Sequence, residues 1–226
     1  AASTSSTKPP STAVTASPTT AAPGPTSPKF STKTILMSSA SKYKKVIDLI
    51  REEKVTLFLG SGCSLGTGAP SANEIVNALI KAAGEDFEEE LNGNRSLENV
   101  AQSFIEKNGN SRYELISILS KLFSFDAVPN GFHELLPKIP HIRNIFTTNY
   151  DTLIEDAYPK NERIVIKSDK GLPYDDKNII IYKPHGDLSD LSDPDSVLIT
   201  HQDYLDFFTR QRNPLLWERV KDAFVR

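Results

Sequence analysis

Cysteine is nearly absent from this chain of 226 residues, and its scarcity excludes two kinds of site. Cys63 is the only cysteine, whereas a disulfide framework or a cysteine-based zinc site needs several. The chain also lacks the run of about 18 apolar residues that a membrane-spanning helix requires, and no apolar segment follows its first residues as in a secretory signal. These absences favour a cytoplasmic protein with no membrane partner.

Acidic residues are missing from the first 47 positions. Residues 1–40 consist mainly of Ser, Thr, Ala and Pro, and because they have almost no large apolar side chains they cannot offset the entropy cost of ordering. We therefore predict a disordered tail over residues 1–40 and a folded domain over residues 41–226. An acid-free, Ser-rich leader is also typical of organellar transit peptides, although this one has no arginine. Met37, the only methionine, is a candidate for the natural start.

The charge balance of the domain excludes nucleic acid as a partner. The whole chain has a formal net charge of −3, and the tail contains only three charged residues, all lysines. Subtracting the tail's +3 from −3 leaves about −6 on the domain, and an acidic surface repels a phosphate backbone.

Hydrophobic periodicity indicates several helices. Ser41 is placed to cap a helix with Tyr43, Val46, Ile47 and Ile50 on one buried face, and Ser71 with Glu74 forms a capping-box pattern that opens another. Two more helical patterns follow, over 96–105 and 113–123, and we expect them to form an inserted helical layer.

Short apolar runs that are typical of buried strands are spread between these helices. They are "VTLFL" from Val55, Asn144–Thr147, "RIVIK" from Arg163, "NIIIY" from Asn178 and "SVLIT" from Ser196. Strands of this kind separated by helices predict an α/β fold, a Rossmann-like parallel sheet with helices on both faces and the inserted helical layer.

Polar loops follow three of the predicted strands. They are "GSGCSLGTG", "TTNYD" and "KPHGD". Ligands of open α/β sheets bind where loops leave the carboxyl ends of the strands, so we expect these loops to meet at one cleft.

The glycine-rich loop fails two phosphate-binding patterns. Gly60, Gly62 and Gly66 are spaced one residue away from the dinucleotide fingerprint, and no Gly-Lys-Ser/Thr follows as in a P-loop. Free backbone N–H groups near a helix start still suit a phosphate, and a Cβ at Gly60 or Gly62 would then crowd a diphosphate. An ordinary tight turn is the alternative.

Taken together and in this order, "GSGCSLGTGAPSANEI", "TTNYDTL" and "KPHGD" resemble the sirtuin family, most closely its sirtuin-like branch in bacterial and related defence proteins. The resemblance runs from about Val55 to Tyr204 and implies a pocket for NAD. It implies that Asn149 and Asp151 lie beside the nicotinamide ribose and that His185 is the catalytic histidine. The cofactor-binding positions that it implies are Gly60, Ser61, Gly62, Ser64, Gly68, Pro70 and Thr148.

These residue types suit cleavage of the glycosidic bond of NAD, which passes through an oxocarbenium-like state. Asn149 can orient water, His185 can accept a proton, and Asp151 can fix geometry or offset developing charge. Other readings are open: Asn149 or Asp151 could cap a helix, and His185 could belong to an ordinary turn. We interpret Cys63 as a packed thiol, and we expect structural roles for the other histidines.

The sequence departs from the deacylase sirtuins. With one cysteine it lacks their four-cysteine zinc module, so we expect no zinc; no Asp-Phe-Arg follows Pro70, and Thr148 replaces their Gln. The leading prediction is therefore an NAD glycohydrolase that releases nicotinamide and ADP-ribose, or a cyclic form, in a defence system.

Two other functions and several partners stay open. A non-catalytic nucleotide-sensing or assembly module is the alternative, and a protein deacylase ranks third. Family members continue beyond the position of Arg226 into a strand and loop that contact adenosine, so we expect a C-terminally truncated domain. A homo-oligomer or a fused sensor or effector domain is a further expectation.

Overall fold

A computed structural model describes residues 42–124, 127–170, 177–189, 193–209 and 213–225. The chain divides into two compact units, Ala1–Tyr43 and Lys44–Arg226. The predicted tail and the Ser41 cap lie outside the described residues, so both stay predictions. The account below concerns the second unit.

A parallel sheet forms the centre of this unit. Its strands are β1 Thr56–Leu59, β2 Asn144–Thr147, β3 Arg163–Ile166 and β4 Ile179–Tyr182, in the order β1-β2-β4-β3. All three pairings are parallel, with Phe58 opposite Phe146 and Phe146 opposite Tyr182. The predicted α/β class and the parallel sheet are confirmed.

Helices and short 3-10 turns connect and cover these strands. The helices are α1 Lys44–Arg51, α2 Ala72–Ala83, α3 Phe87–Glu90, α4 Leu97–Lys107, α5 Tyr113–Phe123, α6 Gly131–Leu135, α7 Leu153–Asp156, α8 His201–Thr209 and α9 Pro214–Val225. The 3-10 turns are Ser61–Ser64, Leu136–Lys138 and Pro194–Ser196.

Both faces of the sheet are covered because the strand side chains alternate. Ile145 and Ile181 point to one face, where they pack with Ile154 of α7 in an apolar cluster. Phe146 and Tyr182 point to the other face and pack with Leu216 of α9. Apolar residues on both sides are what a buried parallel sheet requires.

The inserted helical layer is also present. Helices α2, α4 and α5 share an apolar cluster whose fully buried members include Leu79, Phe104 and Leu119. The predicted capping box at the start of α2 is formed: the Ser71 hydroxyl accepts from the Glu74 N–H, and the Glu74 carboxylate accepts from the Ser71 N–H. Capping satisfies backbone donors that the first turn of a helix leaves unpaired.

Two expectations about buried helix faces are wrong in part. Val46 on α1 and Tyr113 on α5 are exposed, at 50% and 79%. Tyr113 is the first residue of α5, and the buried stripe of that helix begins only at Leu115. Helix α1 has no fully buried residue. Its contribution to the core is Ile50, which packs at the edge of the apolar cluster of Ile145, Ile154 and Ile181. This cluster also contacts Leu57 of β1 and is called the β1 cluster.

The predicted strand "SVLIT" is not a strand. The Pro194–Ser196 turn leads into an unpaired segment, 197–200, whose apolar side chains are buried as those of a strand would be. Its backbone bonds go to loops and caps instead of a neighbouring strand. The Leu198 N–H donates to the His185 carbonyl at 3.0 Å, and the Ile199 and Thr200 N–H groups donate to Asp203 Oδ2 at 2.9 Å.

Among the described residues, no helix combines the length and the apolar character needed to cross a bilayer.

Candidate active site

The three polar loops meet at one cavity, as the sequence predicts. The cavity has a volume of about 280 Å³ and lies at the carboxyl ends of β1, β2 and β4. Seven of the predicted site residues line it: Ser61, Ser64, Pro70, Thr148, Asn149, Asp151 and His185.

The three predicted cofactor-binding glycines do not line this cavity. Gly62 is exposed, and a Cβ built on it meets no atom within 4 Å, while a Cβ on Gly60 would lie 4.0 Å from Thr148 Oγ1. Gly68 has a φ of 93°, a left-handed conformation that favours glycine, so the turn itself requires it. The protein alone therefore leaves room for side chains at Gly60 and Gly62.

The glycine loop forms a 3-10 turn, Ser61–Ser64, whose first internal bond runs from the Cys63 N–H to the Gly60 carbonyl. The N–H groups of Ser61 and Gly62 precede that bond, so the turn does not use them. This end of the loop presents backbone donors, which is the property that suits a phosphate.

Ser64 joins the glycine loop to the loop after β2. Its hydroxyl donates to Asp151 Oδ2 at 2.9 Å and accepts from Asn149 Nδ2 at 3.1 Å. Ser64 and Asn149 are both buried, at 2% and 5% exposure. A buried chain of hydrogen bonds fixes the orientation of its members, so the Asn149 amide has a defined direction.

The carbonyl oxygen of Asn149 is the unusual atom of the site. Asn149 Oδ1 is buried and has no hydrogen-bond partner among the described residues, while its amide nitrogen bonds to Ser64. Leaving a buried acceptor unpaired costs free energy, and such an atom calls for an explanation in bound water, an ion or a ligand. Asn149 lines the cavity, so a ligand hydroxyl or a water molecule that reached this oxygen would give it the missing partner.

His185 lies in an aromatic corner of the cavity. Its ring contacts Tyr204 and Phe207 edge-on, with centroid distances of 5.4 and 6.2 Å. Burial lowers the pKa of His185 to about 4, so the imidazole is neutral at pH 7. The next residue, Gly186, has a φ of 71°, and a Cβ there would lie 2.5 Å from the Ser196 carbonyl oxygen. Only glycine lets the loop pass so close to that segment.

Asp151 uses both of its carboxylate oxygens within the protein. Oδ2 accepts from Ser64, and Oδ1 accepts from the Leu153 N–H at 3.1 Å at the start of α7. The N-cap of α7 is Thr152, which makes no side-chain cap bond, so Asp151 lies one residue before the cap and its bond to Leu153 spans that turn. The reading in which Asn149 is the cap is wrong, because its side chain bonds to Ser64 instead.

Cys63 and His133 lie just outside the cavity wall. The Cys63 thiol is partly buried against the β1 cluster, and burial raises its pKa, so it is a packed thiol as predicted. His133 is fully buried, and its Nδ1 lies 2.8 Å from Asn130 Oδ1, which supports the structural role expected for it.

Sequence reasoning missed several residues of the site. Tyr204 and Phe123 complete the apolar wall of the cavity, and Lys183 is fully buried behind it. Asp187, which the sequence analysis did not single out, is 3% exposed and bonds to Lys167 at 2.7 Å. One sequence signal could have indicated that Lys183 and Asp187 are buried. "KPHGD" directly follows an apolar strand, so its charged side chains lie next to the interior.

In the described ranges, no three His, Cys, Asp or Glu side chains are grouped so as to hold a metal ion. The absence of zinc stays an expectation drawn from the single cysteine.

Fold and site define an open α/β protein with a cavity at the carboxyl edge of its parallel sheet, the place where open α/β sheets bind their ligands. Residues 143–226 match the family profile described as a SIR2-like domain. The chain belongs to the sirtuin-like family.

Three relatives illustrate where the chain lies in that family. It is 33% identical to NAD(+) hydrolase ThsA of Cytobacillus dafuensis over 66% of this chain and 30% of that protein. It is 34% identical to NAD(+) hydrolase ThsA of Enterococcus faecium over 71% of this chain and 33% of that protein. It is 28% identical to NAD(+) hydrolase ThsA of Bacillus cereus (strain MSX-D12) over 69% of this chain and 32% of that protein. The matched region spans about a third of the length of these relatives.

Proposed function

We propose that this domain binds NAD and hydrolyses it to nicotinamide and ADP-ribose. The observation that carries the proposal is the meeting of Asn149 and His185 in one cavity, together with the buried, unpaired acceptor oxygen of Asn149. A relative named NAD(+) hydrolase that is 34% identical supports the choice of substrate.

The size of the cavity indicates which part of NAD it holds. Ligand pockets have volumes of roughly 300–1,000 Å³. At about 280 Å³ this cavity lies at the lower end of that range, so it suits the nicotinamide ribose and leaves the adenosine half outside. The diphosphate would then lie at the Ser61 end of the glycine loop. Gly60, Gly62, Ser64, Gly68, Pro70 and Thr148 shape that loop and its neighbour and complete the proposed cofactor-binding set.

Hydrolysis breaks the bond between the ribose C1′ and the nicotinamide nitrogen. The electron pair of that bond leaves with nicotinamide, which becomes neutral, and positive charge develops on the ribose ring. A water oxygen then bonds to C1′ and loses one proton. The protein must hold this water, avoid opposing the positive charge and accept the proton.

Asn149 is placed to hold the water or a ribose hydroxyl. Its Nδ2 is committed to Ser64, so Oδ1 is a buried acceptor without a partner among the described residues, and a ligand hydroxyl or water would satisfy it. A neutral amide orients a hydroxyl without forming a permanent ion pair with the ribose. Asp151 acts on the site through Ser64, and its negative charge favours the oxocarbenium-like state.

His185 is the proposed acceptor of the proton. Its lowered pKa keeps the ring uncharged at pH 7, so the ring does not repel the developing cation and its free nitrogen is open to a proton. A general base contributes about 10²- to 10⁴-fold to the rate when its pKa lies near the working pH. Because the pKa of His185 is about 4, we expect its effect to lie at the lower end of that range.

Nicotinamide release from NAD by the purified protein tests the proposal. We expect nicotinamide in equal amount to ADP-ribose or its cyclic form, without any acylated peptide. Asn149→Ala should remove most of the release, and His141→Ala, which changes an exposed histidine outside the cavity, should not. Binding of NAD with no release would favour the nucleotide-sensing or assembly module, and release only with an acyl-lysine peptide would favour the deacylase.

A role in a defence system, and a homo-oligomer or fused sensor or effector domain, follow from the resemblance and belong to the same proposal.

A further inference from the structure

Lys183 holds a fully buried ammonium group directly behind the cavity. Its side chain is 0% exposed, and its Nζ donates to the Asp151 carbonyl at 2.5 Å and to Glu155 Oε1 at 2.6 Å. Asp187 Oδ2 lies 3.4 Å away on a third side. One cation thus contacts a backbone oxygen and two carboxylates.

These contacts join the loop of Asn149 to the loop of His185. Asp151 lies two residues after Asn149, and its carbonyl bonds to Lys183. Lys183 and Asp187 each lie two residues from His185 on the other loop. The Tyr150 carbonyl adds a second link at the same place, because it accepts from the Leu188 N–H at 3.3 Å.

The network is balanced in charge. Lys183 and Lys167 face Glu155 and Asp187, with Lys167 bonded to Asp187 Oδ1 at 2.7 Å. Burial raises the pKa of Glu155 although Lys183 opposes it. Burial alone would also raise the pKa of Asp187, but the charge of Lys183 and the hydrogen bonds from Lys167 and Ser189 hold it below its usual value.

Stability does not explain a buried cation here. Desolvating an ion pair costs about as much as the pair gains, and replacing such pairs by apolar residues of similar size is often neutral or stabilising. An ammonium group that has hydrogen-bond and ion-pair partners on two loops does, however, fix the distance between those loops.

We propose that Lys183 is a positioning residue that holds the Asn149 loop and the His185 loop at the separation that NAD hydrolysis requires. Lys183 is fully buried and does not line the cavity, so it acts through Asp151 and Asp187. The proposal rests on the proposed function for its kinetic consequence, but its structural consequence is independent of turnover. If the Lys183 contacts are removed, the His185 loop becomes more mobile and the His185 ring becomes solvated.

The informative variant is Lys183→Met with Glu155→Gln. Lys183→Met alone would leave Glu155 buried without a cation and could fail to fold. The double variant removes one charge of each sign, keeps side-chain volume, and retains the Lys167–Asp187 pair. Lys107→Met with Glu90→Gln is the matched control, since this Lys–Glu pair lies 2.7 Å apart, close to the 2.6 Å of Lys183–Glu155, but is more exposed and does not line the cavity.

Two measurements decide the proposal. We expect kcat for nicotinamide release to fall about 10²-fold in the Lys183/Glu155 variant with KM within about threefold, because misplacement of about 1 Å costs that much. By proton NMR, with the His185 resonance assigned from His185→Ala, the pKa of His185 should rise from about 4 toward 6.5. The control variant should change neither value.

The outcomes separate this proposal from the proposed function. A wild-type protein that releases no nicotinamide contradicts the function, and the NMR titration then decides the role of Lys183 alone. A folded Lys183/Glu155 variant with unchanged kcat, or with the pKa of His185 still near 4, overturns the positioning role. A lower thermal midpoint with no change in kcat or in the pKa of His185 overturns it as well, because a lysine with only a structural role would give that result.

Discussion

The Asn149 amide nitrogen lies 3.1 Å from the Ser64 hydroxyl, although 85 positions separate the two residues in the chain. This bond commits the nitrogen of the amide and leaves its buried oxygen without a partner among the described residues. The same hydroxyl reaches Asp151, so one serine orients both Asn149 and Asp151. The geometry of the site therefore depends on the glycine loop and the β2 loop together.

Asn149→Ala and His185→Ala should each abolish most nicotinamide release. Each removes a group that acts on one transition state, so the double variant should be little slower than either single variant. Steady-state kinetics with NAD check this. The hydrogen bond from the Asn149 side chain to Ser64 contributes about 1 kcal/mol to stability. Asn149→Ala should therefore remain folded at the assay temperature, which its thermal midpoint checks. Full activity in either single variant would contradict the catalytic assignment.

The lowered pKa of His185 predicts a pH dependence of stability. Between pH 6.5 and about 4 the unfolded chain binds a proton at this residue and the folded chain does not, so the free energy of unfolding falls as the pH falls through this window. His185→Gln removes this contribution. Urea unfolding at pH 7 and at pH 4.5 should show a smaller loss of stability in the variant than in the wild type. Equal losses in both proteins would show that the ring is not held neutral by the fold.

Gly186→Ala should destabilise the domain by about 1–3 kcal/mol, because φ is positive there and the added Cβ would lie 2.5 Å from the Ser196 carbonyl oxygen. Gly62→Ala is the matched control, since its φ is not in the left-handed region and the added Cβ meets no atom within 4 Å. Denaturant midpoints compare the two. A Gly186→Ala protein as stable as the Gly62→Ala protein would mean that the 196–197 segment moves aside at no cost.

The Arg112–Asp203 ion pair should contribute far more to the free energy of unfolding than the Arg112–Asp195 pair. Asp203 is buried, accepts from the Ile199 and Thr200 N–H groups, and lies 2.9 Å from Arg112. Asp203→Ala leaves a buried guanidinium and should cost about 3–5 kcal/mol. Asp195 has a side chain 81% exposed, so Asp195→Ala should cost at most about 1 kcal/mol. Similar denaturant midpoints for the two variants would contradict this ranking.

Local patterns in the sequence were sufficient for much of the fold. The capping box of Ser71 and Glu74 and the short apolar strands β1 to β4 depend on residues only a few positions apart, so the sequence predicts them directly. The convergence of three polar loops also followed, because parallel strands bring their carboxyl ends to one edge.

What the sequence determined by itself was therefore the four strands, their parallel arrangement, the helices α1, α2, α4 and α5, and the three loops that could form a site. Only the tertiary structure decided that 197–200 is not a strand, since that depended on whether Asp203 or a neighbouring strand took its N–H groups. Burial of Lys183 and Asp187 was likewise decided by partners from other elements. A charge is buried only where distant residues neutralise it, and local periodicity carries no information about those partners.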